Sequence, residues 1–179
     1  MSLQWISILI GIMALVGGLA GIFRPALIHR FAEIFPRSSV PAWVFTALCC
    51  VLGAKEALGM NMGFLDAYKK YIYIISPAVF VASLVYMKEL LAPRALGGFL
   101  CLIAVPIVRT ASTSGSPLFQ ILVAVVYIWV IYGIALLMSP WYFRKLYQPM
   151  IDNEMLFKVA VYSKTSMGIV FILLGIFVY

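Results

Sequence analysis

The strongest constraint in this sequence is a stretch from Leu3 to Phe23 that contains no charged side chain. As a helix it would be about 31 Å long, which matches the hydrocarbon core of a lipid bilayer. Arg24 and Pro25 close the stretch. No basic residue precedes it, as a cleavable signal peptide would require, so we expect a helix that is retained in the membrane.

Similar apolar runs recur along the chain. Of its residues, 65% are hydrophobic and 11% are charged, whereas soluble domains contain roughly half apolar and a quarter charged residues. We therefore predict an all-α, polytopic transmembrane helical bundle in a single integral membrane domain, residues 1–179. Six helices would form three hairpins with short loops. The predicted helices cover about residues 3–23, 41–60, 71–87, 95–110, 117–138 and 159–179.

The fourth run is the least regular of the six. It is short, contains Gly97 and Gly98, and ends near Pro106 and Arg109. A helix that crosses the membrane is expected, and a re-entrant segment is the alternative. The polar stretch from Thr110 to Pro117 then separates the fourth and fifth runs as a loop.

The basic residues are distributed unevenly between the two sides that six helices would define. The first, third and fifth loops, with the adjoining helix ends, carry nine of the thirteen basic residues: Arg24, Arg30, Arg37, Lys88, Arg94, Arg144, Lys145, Lys158 and Lys164. The positive-inside rule places these nine in the cytoplasm and both termini outside it. We expect a bacterial inner membrane. The formal net charge of +7 indicates contact with anionic lipids, and we expect no nucleic acid partner.

Two segments of the chain resemble each other. Gly18–Pro25 and Gly133–Pro140 share glycine, alanine and proline at a constant separation of 115 residues, and Gly53 and Gly168 have the same separation. Both copies would have the same orientation in the membrane. Duplication and convergence are both compatible with so few identities.

An amphipathic stretch follows the proline of each copy. After Pro25, the apolar residues Leu27, Phe31 and Ile34 recur at helical spacing; the segment after Pro140 has the same pattern. This is typical of a short helix lying in the membrane interface. The candidate contacts to anionic lipids are Arg24, Arg30, Arg144 and Lys145.

Four ionisable residues within or at the ends of the apolar runs form the candidate intramembrane polar site: Lys55, Glu56, Arg109 and Lys164. Ionisable groups in transmembrane segments often serve a function. Alternatively, Lys55 and Lys164 extend toward the lipid headgroups from positions near helix ends.

Residues for catalysis or metal binding are scarce. Cys49, Cys50 and Cys101 lie in apolar runs without zinc-site spacing, and His29 is the only histidine. We predict no catalytic, cofactor or metal site, and hence no enzyme. The expected function is that of an accessory or structural subunit in a larger membrane complex, with lipids and other subunits, or further copies of this chain, as partners. The alternative is a small oligomeric channel or transporter for an ion or small solute.

Overall fold

A computed structural model describes residues 2–61, 63–86 and 91–179. The side chains of Phe64 and Leu65 are not described. These ranges contain α-helices and short 3-10 segments and no strand. The α-helices are α1 (Leu3–Phe23), α2 (Pro25–Ile34), α3 (Ser39–Gly59), α4 (Ile72–Tyr86), α5 (Leu91–Thr113), α6 (Phe119–Met138), α7 (Trp141–Asp152) and α8 (Glu154–Phe177). The 3-10 segments are Phe35–Arg37 and Gly63–Tyr71.

Five of these helices are long and apolar enough to cross a membrane: α1, α3, α5, α6 and α8. They confirm five of the predicted runs by length and composition. The predicted third run corresponds to α4, which has 15 residues and ends at Tyr86, next to Met87–Leu90 outside the described ranges. A total of six spans therefore remains a prediction.

The helix α5 extends beyond the predicted run of 95–110 at both ends. It is continuous for 23 residues and does not reverse direction as a re-entrant segment would. Pro93 lies in the first turn, where the missing N–H interrupts no hydrogen bond. Pro106 lies inside the helix, and the Thr110 hydroxyl donates a 2.8 Å hydrogen bond to the Pro106 carbonyl.

Local capping explains where other helices begin and end. The proline ring of Pro25 cannot continue α1, but it suits the first position of α2, so the chain changes direction at Arg24. The Asn153 side chain accepts a 3.0 Å hydrogen bond from the Met155 N–H. This cap starts α8 at Glu154, five residues before the predicted start.

Helix packing does not follow the expected grouping into hairpins. The most extensive contacts join α1 to α8 and α5 to α6; α3 packs on α5, and α4 packs on α3. The first membrane helix thus pairs with the last rather than with its neighbour in sequence. Apolar runs predict which segments are helices, but they carry little information about which helices pair, because lipid-facing and helix-facing positions are equally apolar.

Glycines permit the two closest pairings. A Cβ added to Gly168 of α8 would lie 2.7 Å from the Leu15 nitrogen and 2.9 Å from the Gly11 carbonyl of α1. A Cβ added to Gly97 of α5 would lie 2.5 Å from the Gly133 carbonyl of α6. Backbones therefore meet directly at both seams, as small residues allow in membrane helices.

Two apolar clusters connect these pairs. One joins α1, α5, α6 and α8 and is centred on Ala111, Leu122, Val126 and Phe171. The buried Ser7 hydroxyl adds a 2.8 Å hydrogen bond from α1 to the Phe171 carbonyl of α8. The second cluster contains Phe35, Ala42, Leu91, Ala92, Leu136 and Phe143, and it packs the 3-10 turn and α7 against α3, α5 and α6.

Candidate functional site

Two of the four predicted intramembrane polar residues form an ion pair. The Arg109 guanidinium of α5 donates a 3.2 Å hydrogen bond to the Glu56 carboxylate of α3. The Glu56 side chain is 18% exposed and that of Arg109 is 66% exposed. The pair connects one end of α3 to one end of α5.

The other two residues of the predicted polar site lie elsewhere. Lys55 is exposed and forms no ion pair with a described residue, because its neighbour Glu56 points toward α5. Lys164 lies on α8, where its ammonium is 2.9 Å from the position that a Cβ on Gly17 of α1 would occupy. The four residues are therefore not one cluster.

Lys164 lies well inside its helix. It is ten residues after Glu154, the first residue of α8, which is about 15 Å along the helix axis. Gly17 is six residues, or about 9 Å, from the end of α1 at Phe23. The Lys164 ammonium therefore lies beside α1, away from the ends of both helices. No described carboxylate lies within 4.0 Å of its ammonium.

The predicted lipid-contact residues are all exposed, at the end of α1 and on the short helices α2 and α7. The Lys145 ammonium lies 5.1 Å from the ring centroid of Trp141, and Arg144 donates a 3.3 Å hydrogen bond to the Gln148 side chain. Neither forms an ion pair with a described carboxylate. Their charges are available to anionic groups outside the protein.

Aromatic contacts hold both short helices against the bundle. The rings of His29 on α2 and Phe157 on α8 are 4.7 Å apart. Phe143 of α7 stacks on Phe35 at 5.2 Å and on Tyr147 at 4.8 Å. Burial in this cluster raises the pKa of the Tyr147 hydroxyl. The short helices α2 and α7 are thus anchored to the bundle on one side.

A groove of about 500 Å³, which the sequence did not reveal, lies between α3, α4 and α5 and is open on one side. Small residues of α3, including Cys49, Cys50 and Gly53, form part of its wall. Their spacing puts them on one helix face, and this stripe of small residues is the one signal that could have indicated a depression. Arg94 of α5 also lines the groove.

Three of the six polar side chains that line the groove, those of Thr46, Cys49 and Ser76, donate to backbone carbonyl groups. The Cys49 thiol donates to the Ala95 carbonyl at 3.3 Å, and the Ser76 hydroxyl donates to the Cys50 carbonyl at 3.1 Å. In contrast, the Nε of Arg94 is buried and has no hydrogen-bond partner among the described residues. Cys49, Cys50 and Cys101 form no disulfide with a described residue.

Within the ranges that the structure describes, no cluster of three or more His, Cys, Asp or Glu residues could hold a metal ion. The five long apolar helices indicate a multi-pass integral membrane protein. Comparison with protein-family models, curated proteins and solved structures gives no significant match.

Proposed function

We propose that this protein is a non-enzymatic accessory subunit that packs within a larger membrane protein complex. The observation that carries the proposal is the Lys164 ammonium, held beside α1 about 15 Å into α8 and without a carboxylate partner among the described residues. A transmembrane helix of another subunit, carrying an aspartate or glutamate, would supply that partner.

The energetic cost of this lysine supports a partner. A lysine at the centre of a transmembrane helix costs about 2.5–3.5 kcal/mol on insertion. Extension of the side chain to the headgroups would lower this cost, but the ammonium lies beside Gly17 rather than beyond the end of α1. An ion pair with a neighbouring subunit would offset this cost.

The glycine at position 17 leaves room for this arrangement. A larger residue there would collide with the terminal atoms of Lys164, whose Nζ and Cε would lie 2.9 and 3.1 Å from the new Cβ. Lys164 is also exposed, so a partner helix can reach it from outside the bundle. The setting differs from that of Arg109, which already has Glu56 as its partner.

The direct test is extraction from native membranes in a mild detergent, followed by native electrophoresis and mass spectrometry of the band. We expect wild-type protein in a large assembly with stoichiometric partners. Lys164→Met is expected to weaken that assembly at least about 30-fold, because it leaves the partner's carboxylate buried and unpaired. Lys55→Met is the matched control, since Lys55 is also an exposed lysine of a long apolar helix but lies near its end.

Migration of the wild-type protein alone, as a monomer or small homo-oligomer, would refute the subunit proposal. Flux measurements in proteoliposomes with Lys55→Met and Glu56→Gln would then test the alternative of a small channel or transporter. Equal loss of the assembly in Lys164→Met and Lys55→Met would keep the subunit function but remove Lys164 as its contact.

A further inference from the structure

The groove between α3, α4 and α5 exists because α4 lies at the edge of the bundle. None of the described residues of α4 is buried, and its contacts are mainly with α3. Small residues on α3 and Gly98 on α5 then leave the space unfilled. In a bilayer this space cannot stay empty, because the apolar walls would lose their packing contacts.

One end of the groove is chemically different from the rest. Arg94 lies in the first turn of α5, three residues after Leu91, and both residues line the groove. Its Nε is buried without an acceptor, although a guanidinium has five N–H donors. The Nε has no acceptor among the described residues, and the two Nη atoms are not buried, so the guanidinium can meet a negatively charged acceptor at this end of the groove.

Apart from Arg94, the polar side chains of the groove are small and uncharged, and those of Cys50 and Ser83 donate to no described residue. The Cys49 thiol, the Ser76 hydroxyl and the Thr46 hydroxyl already donate to backbone carbonyls. Most of the other lining residues are aliphatic, such as Ile72, Ile75 and Val79. The occupant that fits is therefore apolar along its length and anionic at one end.

The dimensions of the groove suit a single lipid chain. The α3 residues that line the groove run from Thr46 to Ala57, which is roughly 16 Å along the helix axis. A volume of about 500 Å³ along that length accommodates one extended acyl chain.

We propose that this groove is a binding site for an anionic phospholipid, with one acyl chain between α3, α4 and α5 and the phosphate on the guanidinium of Arg94. An arginine fork matches phosphate oxygens in geometry and charge. The predicted topology places Arg94 on the side with the excess of basic residues, where anionic headgroups accumulate. The proposal concerns a different surface from Lys164 and does not depend on a partner subunit.

The test is native mass spectrometry of the purified full chain, titrated separately with phosphatidylglycerol and with phosphatidylcholine of the same acyl chains. We expect one tightly bound phosphatidylglycerol and weaker binding of phosphatidylcholine. Arg94→Gln is expected to weaken phosphatidylglycerol binding about 10- to 100-fold, as expected for loss of charge-assisted hydrogen bonds, and to remove the headgroup preference. Arg37→Gln, which removes an exposed charge outside the groove and outside the candidate lipid contacts, is the matched control and should bind like the wild type.

A second variant tests the acyl chain. A Cβ on Gly53 would have only the Leu102 side chain nearby, at 3.9 Å, so Gly53→Leu extends into the groove without meeting a helix seam. Gly53→Leu should abolish the binding of both lipids in the groove. It tests the acyl-chain site even if Arg94→Gln does not fold. Equal binding of the two lipids by the wild type, or unchanged phosphatidylglycerol binding in Gly53→Leu, would overturn the proposal.

Discussion

Replacing Gly168 with alanine should separate α1 from α8, whereas the same replacement at Gly53 should not affect packing. The two glycines occupy equivalent positions in the suspected sequence repeat, 115 residues apart. Their surroundings differ. At Gly168 a new Cβ would lie 2.7 Å from the Leu15 nitrogen and 2.9 Å from the Gly11 carbonyl, and at Gly53 the nearest side-chain atom is 3.9 Å away.

The atoms near Gly168 belong to the backbone and cannot turn aside. The α1–α8 seam must therefore widen, with loss of packing on both sides. Overpacking of this kind costs about 1–3 kcal/mol. Gly53→Ala should be neutral or stabilising by up to about 1 kcal/mol, because alanine favours the helix and the added methyl group meets no obstacle.

The assay is reversible unfolding in mixed detergent micelles, with sodium dodecyl sulfate as the denaturant and tryptophan fluorescence as the signal. The free energy of unfolding of Gly168→Ala should fall below that of the wild type by the amount given above, while that of Gly53→Ala stays equal or rises. Equal free energies for the two variants would show that α1 and α8 do not meet at Gly168, and the inferred helix pairing would be wrong.

Three further predictions concern a buried hydroxyl, the ion pair and the membrane topology. Ser7→Ala should lower the free energy of unfolding by about 0.5–1.5 kcal/mol in the same assay, because the Ser7 hydroxyl bridges two helices. Thr46→Ala should lower it by less, since the Thr46 hydroxyl bonds only within its own helix. Glu56→Gln should lower the free energy of unfolding by less than about 1 kcal/mol, because its partner Arg109 is largely exposed. A larger decrease would mean that lipid shields the ion pair from water. For topology, alkaline phosphatase fused to the C-terminus should be active in a bacterial host and green fluorescent protein should stay dark; the opposite result would reverse the predicted orientation.

The apolar runs predict most helices because a membrane helix must be long, apolar and hydrogen-bonded within itself. The run at α5 was predicted too short at its start, since Pro93 and Arg94 lower the hydropathy there although both belong to the helix. The short helices α2 and α7 follow Pro25 and Pro140 as predicted, because apolar residues recur at helical spacing after each proline. Their location in the membrane interface stays a prediction.

Helix pairing and the sites could not be predicted in the same way. The contact of Glu56 with Arg109 joins residues 53 positions apart, and no spacing in the sequence links them. Lys164 was recognised as an intramembrane lysine, but its position beside Gly17 depends on the pairing of α1 with α8. The groove depends on the placement of α4 relative to α3 and α5, and hydropathy does not encode that distance.

The pairing of α1 with α8 has a consequence for biosynthesis. About 130 residues separate the end of α1 from the start of α8, and at about 5–20 residues per second the ribosome needs roughly 7–26 s to make them. During that time the glycine-lined face of α1 lies in the bilayer without its eventual neighbour. Lipid, the insertion machinery or a chaperone must occupy that face until the last helix arrives to displace it.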